Sequence, residues 1–232
     1  MKVLLIRHDP MAEIEIKNAI QDLGFTLYDV NRHEQILISE INSTDKCGIY
    51  FFNIHISKFD RIYFFNTPDV SSGNPRTAHK ENTFEYCEMD ASVVSALQQY
   101  PDKLINAGTL NMSLSIKNRY FLIFLFKNIG WALHASLFNL THVIHDKTEY
   151  RFYMVITRHS HSFYPYNDIY TEAYRDAEEL IFKTQKAMWD RKIDILNVTC
   201  VVLNGTFFIV NVSEHFQNIS NQVLCKSLKE II

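Results

Sequence analysis

The chain of 232 residues carries a formal net charge of −3, with 47% apolar and 21% charged residues. A globular chain of this length buries roughly 70–75% of its unfolded surface, and its charge balance offers no general attraction to nucleic acid or an anionic membrane. No basic, apolar, small-residue order at the N-terminus marks a signal peptide, and the most apolar window, Tyr120 to Phe126, is too short to cross a bilayer. A cytoplasmic protein without a nucleic-acid or membrane partner is expected. Cys47, Cys87, Cys200 and Cys225 form no C-x-x-C pair and read as reduced thiols.

Met1 to Ile6 is an apolar run of strand length. Met11 to Leu23 follows with helical spacing of Met11, Ile14, Ile16, Ala19, Ile20 and Leu23, and Gly24 stops it. Phe25 to Val30 reads as the next strand, so the opening is β-α-β and implies a doubly wound α/β layer. No Gly-x-Gly-x-x-Gly follows the first strand, which leaves dinucleotide binding without support. Gly48 to Ile54 and Arg61 to Phe65 read as two more strands, and Thr67 to Glu81 as a long loop. Ala91 to Gln99 is a helix, Lys103 to Asn106 a short strand, and Ser115 to Asn128 a strong helical pattern that ends at Gly130.

Tyr150 to Thr157 and His161 to Tyr164 form an expected hairpin through Arg158-His159-Ser160. Thr171 to Trp189 is a long helix. Asp194 to His215 then presents two β-branched and aromatic runs flanking Leu203-Asn204-Gly205-Thr206, and Asn-Gly supplies the positive φ angles of a tight hairpin. Ile219 to Ile231 closes the chain as an amphipathic helix.

The hairpin resembles the one that ends an ATP-grasp domain, where the first strand reads roughly Gly-Val-Asp-Phe, the second ends in Glu-Val-Asn, and both carry magnesium ligands. Here the two acid positions fall on Thr199 and Ile209, and Asn211 alone matches. The first 140 residues resemble, in order and spacing, the front domain of ATP-grasp ligases that modify ribosomally made peptides. The counterparts are Ile6 to Asp9, Phe25 to Asp29, Glu88 to Gln99, Leu104-Ile105-Asn106, Asn118-Arg119 and Gly130, with Arg119 where the family has Lys and His134 where it has Pro. After Thr141 the family runs through a lid whose Lys contacts nucleotide phosphates. In this chain Thr141 to Asp146 leads almost directly to Glu149-Tyr150-Arg151-Phe152, which is similar to the family's Asp-x-Arg-Val strand beyond the lid. The resemblance implies a parallel α/β domain over 1–110 and a truncated ATP-grasp-like domain over 111–232, an antiparallel sheet with helices that lacks the lid.

Magnesium bound to nucleotide wants hard oxygen ligands with charge, which Thr199 and Ile209 do not supply, so the expectation is a pseudoenzyme with no cofactor, no metal and no catalytic residue. Its partner is a peptide or protein, a precursor peptide or its modifying enzyme by resemblance, or a second copy of the chain. Arg151, a mid-strand Arg among aromatics, could bind a carboxylate bidentately or pair with Glu149. Asn211, Arg119, Tyr164 and Tyr166 complete the candidate binding residues, and Phe163-Tyr164-Pro165-Tyr166 reads as an exposed aromatic edge. Three alternatives stand beside this. Arg7-His8 after a first strand is similar to the opening of histidine phosphatases, His159 and His161 with His142 and His145 could hold a metal, or the chain could be a ligase subunit whose lid comes from another chain.

Overall fold

The computed structural model describes residues 1–7, 14–31, 36–38, 49–64, 93–109, 115–134, 151–164, 171–203, 206–216 and 219–232. In chain order the described elements begin with β1 (Lys2–Arg7), α1 (Ile14–Asp22), β2 (Thr26–Asn31), β3 (Ile36–Ile38), β4 (Ile49–Phe51), β5 (Ile54–His55) and β6 (Arg61–Phe64). A helix over 93–97, α2, follows, then β7 (Leu104–Ile105), α3 (Ser115–Ile129), β8 (Ala132–Leu133), β9 (Arg151–Thr157) and β10 (His161–Tyr164). The chain closes with α4 (Thr171–Asp190), β11 (Ile195–Leu203), β12 (Thr206–Ser213) and α5 (Asn221–Ile231). The expected loop over Thr67 to Glu81 lies outside the described residues.

The first sheet is parallel, in the order β2-β1-β6-β7. Every residue of β1 after Lys2 is buried, as a central strand covered on both faces requires. Leu4 and Ile6 pack on one side with Phe51, Phe59 and the α2 residues Val93, Ala96 and Leu97. Val3 and Leu5 pack on the other with Ile16, Ala19 and Ile20 of α1. Each of the Val, Leu, Ile and Phe side chains contributes roughly 1.5–3 kcal/mol on burial. Gly24 ends α1 with φ +73, donating to Gln21 O at 2.9 Å while Phe25 N donates to Ile20 O at 3.4 Å. This paired closure relies on a residue that tolerates the left-handed region. The same pair of bonds recurs at Gly130 and Trp131, where α3 stops.

Gly48 to Ile54, expected as one strand, is two. Phe52 and Asn53 have φ of 51° and 59° and turn the chain between β4 and β5, which join β3 in a small antiparallel sheet of their own. A two-residue turn with both central residues left-handed suits a hairpin, and Asn accepts that geometry better than most residues.

The second sheet runs β10-β9-β11-β12-β8. It is antiparallel except at its edge, where β8 pairs parallel to β12 because the chain returns to the sheet from α3. Phe152, Met154, Ile156, Leu196, Val198, Cys200, Phe207 and Ile209 point to one face and form a core with α3 and α4. Val155 and Ile195 point to the other and share a core with α5, α1 and the parallel sheet.

Asn106 fastens the two sheets. Its backbone is left-handed (φ 59), its Oδ1 accepts from Asp194 N (2.7 Å) and Ile195 N (2.9 Å), and its Nδ2 donates to Ile195 O (2.9 Å). Gly108 N donates to Lys192 O, and a Cβ on Gly108 would lie 1.6 Å from Arg191 O, so only glycine permits this approach.

Candidate functional site

Strand alternation places the polar residues of the second sheet on the face turned away from α3 and α4. Across the strands, Tyr164 pairs with Tyr153, Tyr153 with Thr199, and Thr199 with Asn211. The neighbouring row runs Ser162, Val155, Asn197, Ser213, and Arg151 stands opposite Val201 one step beyond Tyr153. Two residues singled out in the sequence, Tyr164 and Asn211, therefore belong to one pleated face, and Arg151 is described only as part of β9. Tyr166 lies outside the described residues, and Arg119 is described only as part of α3.

The register changes between Thr199 and Cys200. Cys200 pairs with Ile209, whereas Thr199 pairs with Asn211, so Val210 is an extra residue on β12. Without this bulge Ile209 and Asn211, two apart on a strand, would share a face. With it, Ile209 enters the α3/α4 core at 0% exposure, and Asn211 joins Thr199 on the opposite side. Sequence spacing alone does not reveal this separation.

Asn197 and Asn211 each hold a solvent-shielded side-chain oxygen with no hydrogen-bond partner among the described residues. Asn197 Nδ2 donates to His215 O at 2.8 Å, which fixes that amide. A buried acceptor left unsatisfied costs about 1–3 kcal/mol, so two on one face mark where an incoming donor would be most favoured. Beyond this polar face, Glu214 accepts from the buried hydroxyl of Thr109, and Tyr63 is buried on β6. None of these three, nor Asn197, shows a sequence signal, because their neighbours come from distant parts of the chain.

Two alternative sites look different in three dimensions. Arg7 is 5% exposed, and its guanidinium is gripped bidentately by Asp29, Nε to Oδ1 at 2.8 Å and Nη2 to Oδ2 at 2.6 Å, with Lys17 on the same carboxylate at 2.9 Å. A guanidinium held this way is committed to an internal carboxylate rather than to phosphate. His8 lies outside the described residues. His159 meets Trp189 (5.5 Å) and His161 meets Phe163 (5.8 Å) edge to face, and no group of three or more potential metal ligands gathers among the described residues. His142 and His145 lie outside them.

The aromatic edge is also corrected in part. Phe163 is half-buried against the α3/α4 core, 5.8 Å from Phe152 and 6.1 Å from Phe207 between ring centroids. It faces the opposite side from Tyr164, as alternation demands. Among the described residues the large exposed aromatics sit elsewhere, Tyr120 and Phe124 on α3, Phe182 and Trp189 on α4, and Phe52 in the β4–β5 turn.

No protein-family model matches the chain, and no curated protein matches it. Solved structures do. An RiPP-associated ATP-grasp ligase from Chryseobacterium gregarium, in complex with ADP and a leader and core peptide, superposes with a TM-score of 0.62 at 8% identity, covering 99% of this chain and 96% of that one. The chain has the ATP-grasp fold. The ligase PsnB, complexed with minimal precursor, Mg and ADP, gives a TM-score of 0.61 at 9% identity over 99% of this chain and 97% of its own. The macrocyclase MdnC from Microcystis aeruginosa MRC, bound with precursor peptide MdnA, gives 0.57 at 7% identity over 98% of each chain. Within this ATP-grasp fold the hairpin β11–β12 offers a hydroxyl at Thr199, a neutral amide at Asn211 and a core methyl group at Ile209. That donor set lacks the charged oxygens by which magnesium is held beside phosphates, so magnesium nucleotide does not fit this hairpin.

Proposed function

We propose that the chain is a non-catalytic ATP-grasp-like protein that binds a peptide, a ribosomal precursor or a segment of its modifying enzyme, as an accessory component of peptide natural-product maturation. The observation that carries this reading is the bulge at Val210, which turns Ile209 into the hydrophobic core while Asn211 stays on the polar face. A catalytic hairpin needs two charged ligands converging on one side; this one has a single amide there. In support, β8 and β9 are separated only by residues 134–150, in line with loss of the lid after Thr141, within 111–232. MdnC and the Chryseobacterium ligase are both described with peptide bound.

In this proposal the peptide lies across the row Tyr164, Tyr153, Thr199, Asn211, with Arg151 receiving an acidic group. Donors of the peptide backbone would satisfy the open oxygens of Asn211 and Asn197. Affinity capture of the tagged chain after co-expression with candidate precursor peptides, read by mass spectrometry, identifies the occupant. Arg151→Ala should then weaken its binding by about 1.5–3 kcal/mol, the range for a hydrogen bond to a charged group. Tyr164→Ala should weaken it too, and Thr199→Ala should not. Unchanged affinity in an Arg151→Ala protein with native circular dichroism would place the binding surface elsewhere.

A further inference from the structure

A polar cleft of about 200 Å³ opens where β6 and β7 begin, on the side of the Asn106 fastening away from the Thr199–Asn211 row. From Asp194 at its wall to Thr199 the extended chain spans about 16 Å, so the two regions are separate. Three cations line the cleft, Arg61, Arg158 and Lys192, against two carboxylates, Asp102 and Asp194.

The carboxylate that sits deepest is already satisfied. Asp194 accepts from Arg158 Nη2 at 2.8 Å and from Asn106 N at 2.7 Å. Burial pushes its carboxyl up, while the Asn106 amide and the charges of Arg158, Arg61 and His159 pull it back, so several cations act on one spot. Arg158 is held in place by Ile193 O (3.1 Å) and by the Trp189 ring beneath its guanidinium (5.2 Å). Arg61 donates one N–H to Asp102 O at 2.7 Å and retains its other donors. The Lys192 ammonium has no hydrogen bond or ion pair with a described residue. Unspent donors from three cations thus converge over a wall formed by Leu104, Ile105 and Ile231.

We infer that this cleft binds a small oxyanion, a carboxylate or a phosphate group, held by Arg61 and Lys192 with Arg158 as the fixed third charge. Arginine matches the geometry of both groups. The volume lies below the roughly 300–1,000 Å³ of sites that enclose drug-sized ligands, which limits the occupant to a small anion or the anionic end of a larger molecule. The inference does not depend on peptide binding at the other face.

Thermal unfolding of the full chain tests it, with inorganic phosphate and, separately, acetate titrated against chloride at matched ionic strength. The expected result is a saturable rise in Tm with one of the two, which also tells phosphate from carboxylate as the ligand chemistry. Arg61→Gln and Lys192→Gln should each weaken the apparent affinity about tenfold or more, the loss expected for one charge-assisted hydrogen bond. Arg158 is left intact because it also braces Asp194. The inference is overturned if neither anion saturates beyond the chloride control, or if the rise persists unchanged in the double variant. Should the double variant unfold early in chloride, equilibrium dialysis of radiolabelled phosphate and acetate with each single variant gives the same decision without reference to Tm.

Discussion

Arg7 shows how a residue's chemistry is set by its neighbours. In sequence, Arg7-His8 after a strand suggests a phosphate-handling pair, because nothing local indicates that Asp29 occupies the guanidinium. The bidentate pair is nearly enclosed, so removing the carboxylate strands a buried charge. Asp29→Ala should destabilise the fold by about 3 kcal/mol, measured as a drop in unfolding free energy from urea titration, while Lys17→Ala, on the exposed side of the carboxylate, should change it by no more than about 1 kcal/mol. His161 carries a pH signature. Burial holds its pKa below the ordinary 6.5, Glu178 partly opposes this and Lys226 reinforces it. The folded state therefore prefers the neutral ring, and as pH falls below 6.5 the unfolded chain takes up the proton first. Stability is lost through that window and levels off below the folded value. His161→Phe should flatten the change in urea midpoint between about pH 7.5 and about pH 5; an unchanged slope would assign the effect to another group.

Among the elements, those with a long periodic pattern and a stop signal were legible. α1 ends at Gly24, α3 at Ile129 before Gly130, and the β11–β12 hairpin brackets Asn204-Gly205, because periodicity and turn chemistry are local properties. A Cβ added to Gly24 would meet no atom within 4 Å, so Gly24→Ala should cost only the left-handed backbone term, about 1–2 kcal/mol. Ser220 caps α5 by accepting from Val223 N at 3.3 Å, and Ser220→Ala should cost about 1 kcal/mol; both are read from Tm or urea midpoints. The Phe52-Asn53 turn was illegible because it lacks glycine, and β8 because two residues carry no pattern. The bulge at Val210 was illegible for a stricter reason. It is a property of pairing between strands, and it alone decides that Ile209 and Asn211 part ways.

At the scale of the molecule, two sheets of different kinds are held in register by Asn106 and Gly108, and their order along the chain gives the ATP-grasp fold at identities of 7–11% with the solved ligases. The fold was readable from element order and spacing, since those survive when side chains change. The proposed binding residues were legible only as residue types, since which of them share a face depends on strand register. What separates this chain from a working ligase, in the reading proposed here, is the missing charge on the hairpin. Calorimetric titration of the purified chain with ATP and Mg²⁺ at millimolar concentration, on the order of weak nucleotide sites, measures this directly. The expected result is no saturable heat, with or without chelator. A saturable isotherm abolished by chelator would contradict the pseudoenzyme reading and return the hairpin to catalysis.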